Sequence, residues 1–134
     1  MLLKTLPAEV MLSTLPPFES SIPFLNLVPA WKMNEFTPAM LVNQLMKRTK
    51  IHDSKVAVLG FTFKKDTDDI RDSLVPKLCR YIHRELPMEL RVSDHHLEDM
   101  INEPSSSEPI KNWNIKSALE DVDCVFVATN HTGY

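Results

Sequence analysis

The sequence predicts an α/β domain on a small doubly wound parallel sheet, preceded by a helical and irregular N-terminal segment. Three observations carry this expectation. "KVAVLGF" from Lys55 and "CVFVAT" from Cys124 are short runs of apolar and β-branched residues, the pattern of strands buried on both faces. Between them, apolar residues recurring every fourth position from Leu74 mark an amphipathic helix, and "MELRVSD" alternates as a further strand. Strand, helix, strand in this order builds a right-handed parallel unit, with helices on both faces and ligands at the carboxyl ends of the strands.

From the N-terminus, residues 1–25 hold Pro7, Pro16, Pro17 and Pro23 among several serines, and an irregular arm is expected there. A helical linker is expected over 26–52. Pro29 should break or kink any helix that crosses it. A cleaner helix then starts with Thr37 as cap and Pro38 in its first turn, presenting Met40, Leu41, Leu45 and Met46. The domain proper is expected over 53–134. Ser73 caps its main helix, whose stripe of Leu74, Leu78 and Ile82 is widened by Val75, Cys79 and Leu86. In the next strand Met88, Leu90 and Val92 point inward and Asp94 ends it. "HHLEDMINEPSSSEPIKN" reads as a helical turn and a Ser/Pro loop, and "IKSALEDV" as a short helix leading to the third parallel strand.

With 134 residues, 43% of them hydrophobic, the chain fits one soluble globular domain plus an extension. Fifteen basic against eighteen acidic residues give a net charge of -3, so the positive field of a nucleic-acid binder is lacking and any anion must be held locally. No apolar run approaches the roughly 20 residues that cross a bilayer, and "MLLKTLPAEV" lacks the pattern of a secretory leader. A cytoplasmic protein is expected, with neither membrane nor nucleic acid as partner. Cys79 and Cys124 lie far apart in apolar contexts without metal spacing, and read as buried free thiols. The only glycines are Gly60 and Gly133, so a GxGxxG fingerprint is absent and no cofactor is expected in this chain.

"GFTFKKDTDDIRDS", Gly60 to Ser73, crowds seven charges between a strand end and a helix start, where open α/β sheets bind phosphates. Lys64 and Lys65 offer ammonium groups to a diphosphate, and Phe61 or Phe63 a ring for a base. Asp66, Asp68, Asp69 and Asp72 would repel a phosphate, and are better placed to fix Arg71, cap the turn or complement the helix N-terminus. A plain solvated loop accounts for the composition equally well. "DTDD" lacks the central glycine and closing glutamate of a calcium loop, and "DHH" at Asp94–His96 needs further ligands to hold an ion, so no metal is expected.

The run "KVAVLGFTFKKDTDDIRDS" resembles the signature that opens the C-terminal domain of the UDP-glucose/GDP-mannose dehydrogenases, the nucleotide-sugar 6-dehydrogenase family. Phe63, Lys64, Asp66, Thr67, Asp68, Asp69, Arg71, Asp72 and Ser73 all match that signature. "MNEFTP" is similar to the family's segment after its central dimerisation helix, and "SALEDVDCVFVATNH" to its later helix and strand. The resemblance implies a Rossmann-like domain that clamps the UDP part of a UDP-sugar, while a separate N-terminal domain binds NAD. It implies that Lys64 faces the diphosphate, that Phe63 lines the same pocket, and that Asp69 and Arg71 hold the loop. It also implies an intact enzyme that oxidises a sugar C6 alcohol to a carboxylate and pairs as a homodimer through the linker region. The family's catalytic cysteine lies in a glycine-rich segment without counterpart here, so no catalytic residue is expected in this chain. A domain truncated at its C-terminus, before a further nucleotide-binding arginine, is expected. The rival expectation is a standalone or diverged module that binds nucleotides or another protein without catalysis.

Overall fold

The structure, a computed structural model, describes residues 2–4 and 23–134. Its order is β1 (Leu2–Lys4), α1 (Pro23–Met46), β2 (Lys55–Leu59), α2 (Val75–Arg84), β3 (Glu89–Ser93), β4 (Met100–Ile101), β5 (Ile110–Lys111), α3 (Ile115–Leu119) and β6 (Cys124–Val127). Four strands form one parallel sheet in the order β1-β6-β2-β3, and β4 pairs antiparallel with β5.

The central strand explains its own composition. β2 is flanked by β3 and β6, with Val58 opposite Val92 on one side and Phe126 on the other. Because side chains alternate along a strand, its two faces are distinct. Val56 and Val58 join Val92, Cys124 and Phe126 under α2, whose Val75, Leu78, Cys79 and Ile82 cover them. Ala57 and Leu59 join Val125 on the opposite face, where Ile115 of α3 and Val122 pack. Helices on both faces make the sheet doubly wound, as the two apolar runs predicted. Cys79 and Cys124 are free and buried, also as expected.

Several local expectations are overturned. α1 runs unbroken for 24 residues through both Pro29 and Pro38. A proline removes one N–H and bends the helix locally; the regular bonds before and after it outlast the gap. Thr37 is mid-helix rather than a cap, and its hydroxyl donates to the Met33 carbonyl at 3.1 Å. Within the expected irregular arm, Leu2–Lys4 forms an edge strand beside β6; residues 5–22 lie outside the described residues. Val42 and Leu45 bury the α1 face that meets the α2 side of the core, and a Lys77–Glu35 ion pair ties the two helices.

Leu86, expected in the α2 stripe, is exposed because the chain turns left-handed just after the helix, with φ 53°. Met88 is exposed too, since it precedes β3 rather than lying in it. Ser73 lies one residue before the N-cap Leu74, yet its Oγ still accepts from the Val75 amide at 3.2 Å. No helical turn forms after Asp94; the short β4–β5 ribbon occupies that stretch.

Candidate functional site

β2, β3 and β6 are parallel, so their carboxyl ends meet along one edge and the residues just after them converge there. After β2 comes Gly60, at φ 82°, a left-handed conformation suited to glycine. A Cβ at this position would lie 2.4 Å from the Thr129 carbonyl oxygen and 2.7 Å from its nitrogen, so the backbones after β2 and β6 touch. Asp94 follows β3, and Thr129 and His131 follow β6.

Asp94 and His131 are the chemical centre of this edge, at 1% and 2% exposure. Asp94 Oδ2 accepts from the Phe61 amide at 2.7 Å and the Thr62 amide at 3.3 Å, and Oδ1 accepts from the His96 amide at 2.9 Å. The Asp66 amide donates to His131 Nδ1 at 2.9 Å. The ring proton therefore sits on Nε2, which donates to Asp94 Oδ2 at 2.9 Å, with Thr62 Oγ1 at 3.2 Å from the same nitrogen. Burial pushes the Asp94 carboxyl up, but the Phe61 and His96 amides and His131 outweigh it and leave it below the usual carboxylate value. Asn112 fixes this corner further: its Oδ1 accepts the Asp94 amide and its Nδ2 donates to the Asp94 carbonyl, each at 2.8 Å.

These contacts hold the base of the charged loop and leave its rim outside. Thr129 Oγ1 donates to the Thr62 carbonyl at 2.7 Å, Ser73 Oγ to the Phe61 carbonyl at 2.7 Å, and the Phe63 amide to the Asp69 carbonyl at 2.9 Å. Phe61 is wholly buried, so of the two phenylalanines only Phe63, 53% exposed, presents a ring. Lys64 is exposed beside it, with Nζ 5.6 Å from the Phe63 ring centroid. Lys65 is exposed as well.

The loop's acids divide in two. Asp69 takes Arg71 in a fork, with Nε at 2.9 Å and Nη2 at 2.8 Å, and the arginine holds the Asp69 carboxyl down to about 2. Asp66 instead accepts from the Thr132 hydroxyl and amide, each at 2.7 Å, and these bonds lower its pKa. Phe63, Lys64, Asp69 and Arg71 thus share one loop, and Phe63, Lys64 and Arg71 are all exposed on it. The sequence reading missed His131, Thr129 and Thr132. The available signal was "ATNHT" directly after the last strand, polar residues that parallel topology carries to the same edge as "DHH".

Residues 57–134 match the UDP binding domain of the UDP-glucose/GDP-mannose dehydrogenase family. The chain is 27% identical to UDP-glucose 6-dehydrogenase 4 of Arabidopsis thaliana, over 73% of this chain and 25% of that protein. It is also 27% identical to a UDP-N-acetyl-D-mannosamine dehydrogenase of Campylobacter jejuni, over 76% of this chain and 25% of that one. Among solved structures, an NDP-N-acetyl-D-galactosaminuronic acid dehydrogenase from Methanosarcina mazei superposes with a TM-score of 0.68 at 25% identity, covering 95% of this chain and 26% of that chain. A UDP-D-ManNAc dehydrogenase from Pyrococcus horikoshii superposes with a TM-score of 0.61 at 24% identity, covering 75% and 22%, and supports the fold alone. The chain spans about a quarter of the length of the curated relatives it matches.

Proposed function

The chain belongs to the UDP-glucose/GDP-mannose dehydrogenase family, and on that premise we propose that its 61–73 loop grips the UDP part of a UDP-sugar for an NAD-dependent 6-dehydrogenase. The observation that carries the reading is the pairing of an exposed Phe63 with an exposed Lys64 on a loop whose base is hydrogen-bonded from three sides. In this reading the Lys64 ammonium meets the diphosphate, Phe63 lines the pocket beside it, and the Asp69–Arg71 fork keeps the loop in shape. A contact at the carboxyl end of a central parallel strand suits a phosphate, because the protein backbone is already fixed there and little ordering remains to be done on binding.

The chain contributes grip rather than hydride chemistry. Gly60 is pressed against the Thr129 backbone, which leaves the turn after β2 no room to cradle a nicotinamide cofactor. Neither thiol belongs to the site, since Cys79 is buried in α2 and Cys124 in β6.

A UDP titration of the parent chain, Lys64→Ala and Lys65→Ala tests the reading. Losing one charge-assisted contact, worth about 1.5 to 3 kcal/mol, should weaken UDP binding roughly tenfold to a hundredfold for Lys64→Ala and little for Lys65→Ala. Equal losses that vanish together at raised salt would reduce the loop to a diffuse positive field. A folded parent that binds no UDP would favour a protein-interaction module instead.

A further inference from the structure

Outside the exposed rim, Asp66, His96 and His131 bring one carboxylate and two imidazoles together, with ligand atoms all within 4.8 Å of one another. We propose that these three residues bind a divalent transition cation of the Zn2+ class, which fastens the 61–72 loop to the residues after β6. The inference stands apart from the UDP reading.

Three independent features support it. His131 donates its Nε2 proton to the buried Asp94 carboxylate, the arrangement in which a metal-bound histidine is usually held, leaving Nδ1 as the ligand atom. His96 Nε2 is buried without any hydrogen-bond partner, and it lies 3.7 Å from Asp66 Oδ1. Asp66 is aimed by both the amide and the hydroxyl of Thr132, and its Oδ1 lies 3.9 Å from His131 Nδ1. Ligand atoms around a tetrahedral zinc ion stand about 3.3 Å apart, so Asp66 Oδ1 has roughly half an ångström to close on each imidazole, and the widest pair of the set, within 4.8 Å, has up to roughly 1.5 Å to close through the half-exposed Asp66 and His96 side chains.

The donor set names the ion class. Imidazole nitrogen suits zinc, nickel or copper, whereas calcium and magnesium take oxygen shells. His131 Nδ1 now accepts the Asp66 amide, so metal entry replaces one hydrogen bond and shifts the turn at Asp66, which already sits at φ 56°.

Calorimetric titration of the chain with Zn2+, and Co2+ titration read by visible absorption, provide the test. One saturable site is expected, with Co2+ bands showing nitrogen and oxygen ligation and no competition from millimolar Mg2+. His96→Ala and Asp66→Ala, at partly exposed positions that spare the core, should abolish the bands. Thr132→Ala, which loosens Asp66, should weaken binding on the order of 10- to 100-fold. His83→Ala, on the exposed side of α2, should change nothing. Binding that survives in both His96→Ala and Asp66→Ala, that Mg2+ displaces, or that fails to appear in the folded parent would overturn the proposal.

Discussion

Replacing Asp94 with asparagine is a nearly isosteric change whose cost follows from counting donors. The carboxylate receives four N–H groups: Phe61, Thr62 and His131 at one oxygen and His96 at the other. An amide has one acceptor oxygen and one NH2 group. In its better orientation the oxygen keeps the first three donors, and the NH2 faces the His96 amide, donor against donor. An unsatisfied buried donor costs about 1 to 3 kcal/mol, and demoting the remaining bonds from charge-assisted to neutral costs roughly another 1 kcal/mol each for the two shorter ones. Asp94→Asn should therefore lose about 3 to 5 kcal/mol, or on the order of 10 to 20 °C in Tm for a chain of this size. Urea and thermal unfolding of the two proteins at neutral pH measure it. A loss under about 1 kcal/mol would refute the four-donor account. pH adds a sign. Asp94 has a folded pKa below its unfolded value of about 3.9, so its contribution is fully present above that value and drains away as pH falls through the folded pKa. The parent should lose more stability on acidification in that window than the asparagine variant, which keeps only the loss from other lowered carboxyls such as Asp66 and Asp69. If burial alone ruled the group, acidification would narrow the loss of the parent below that of the variant.

Two further outcomes concern the frame around this edge. Gly60→Ala should cost at least about 2 kcal/mol in urea unfolding, since left-handed backbone alone costs an alanine about 1 to 2 kcal/mol and the new Cβ meets Thr129 backbone rather than a movable side chain; a smaller loss would mean the strand ends can part freely. Burial pushes the Cys79 thiol up to about 12, which leaves on the order of one part in ten thousand as thiolate at pH 8, so native labelling should be far slower than labelling in urea. Rapid native labelling would place Cys79 outside the core.

What the sequence disclosed was what depends on local pattern. β2 and β6 were readable because strands buried on both faces are continuous apolar runs, and α2 because its stripe repeats every turn. α1 was misjudged because a proline's local penalty was allowed to outweigh a long helix packed through Val42 and Leu45. The loop's position was legible for the same reason as the strand before it, and the Asp69–Arg71 fork followed from two residues close in sequence. That fork lies at the surface, with Arg71 84% exposed, so it contributes little to stability. His131 was out of reach. Its partners Thr62, Asp66 and Asp94 are joined to it only by the order of strands in the sheet, and no periodicity announces that order.

The long span of these contacts also sets a timetable. Thr62 and Asp66 receive their partners from Thr129, His131 and Thr132, which are 65 to 69 positions further along the chain. On a ribosome adding about 5 to 20 residues per second, the loop waits roughly three to fourteen seconds after its own synthesis before the residues after β6 can reach it. An apolar loop in that position would be exposed to every other nascent chain nearby. Two lysines, an arginine and four aspartates between Gly60 and Ser73 keep the segment hydrated through the delay, so the charges that crowd it serve the newborn chain before they serve any ligand.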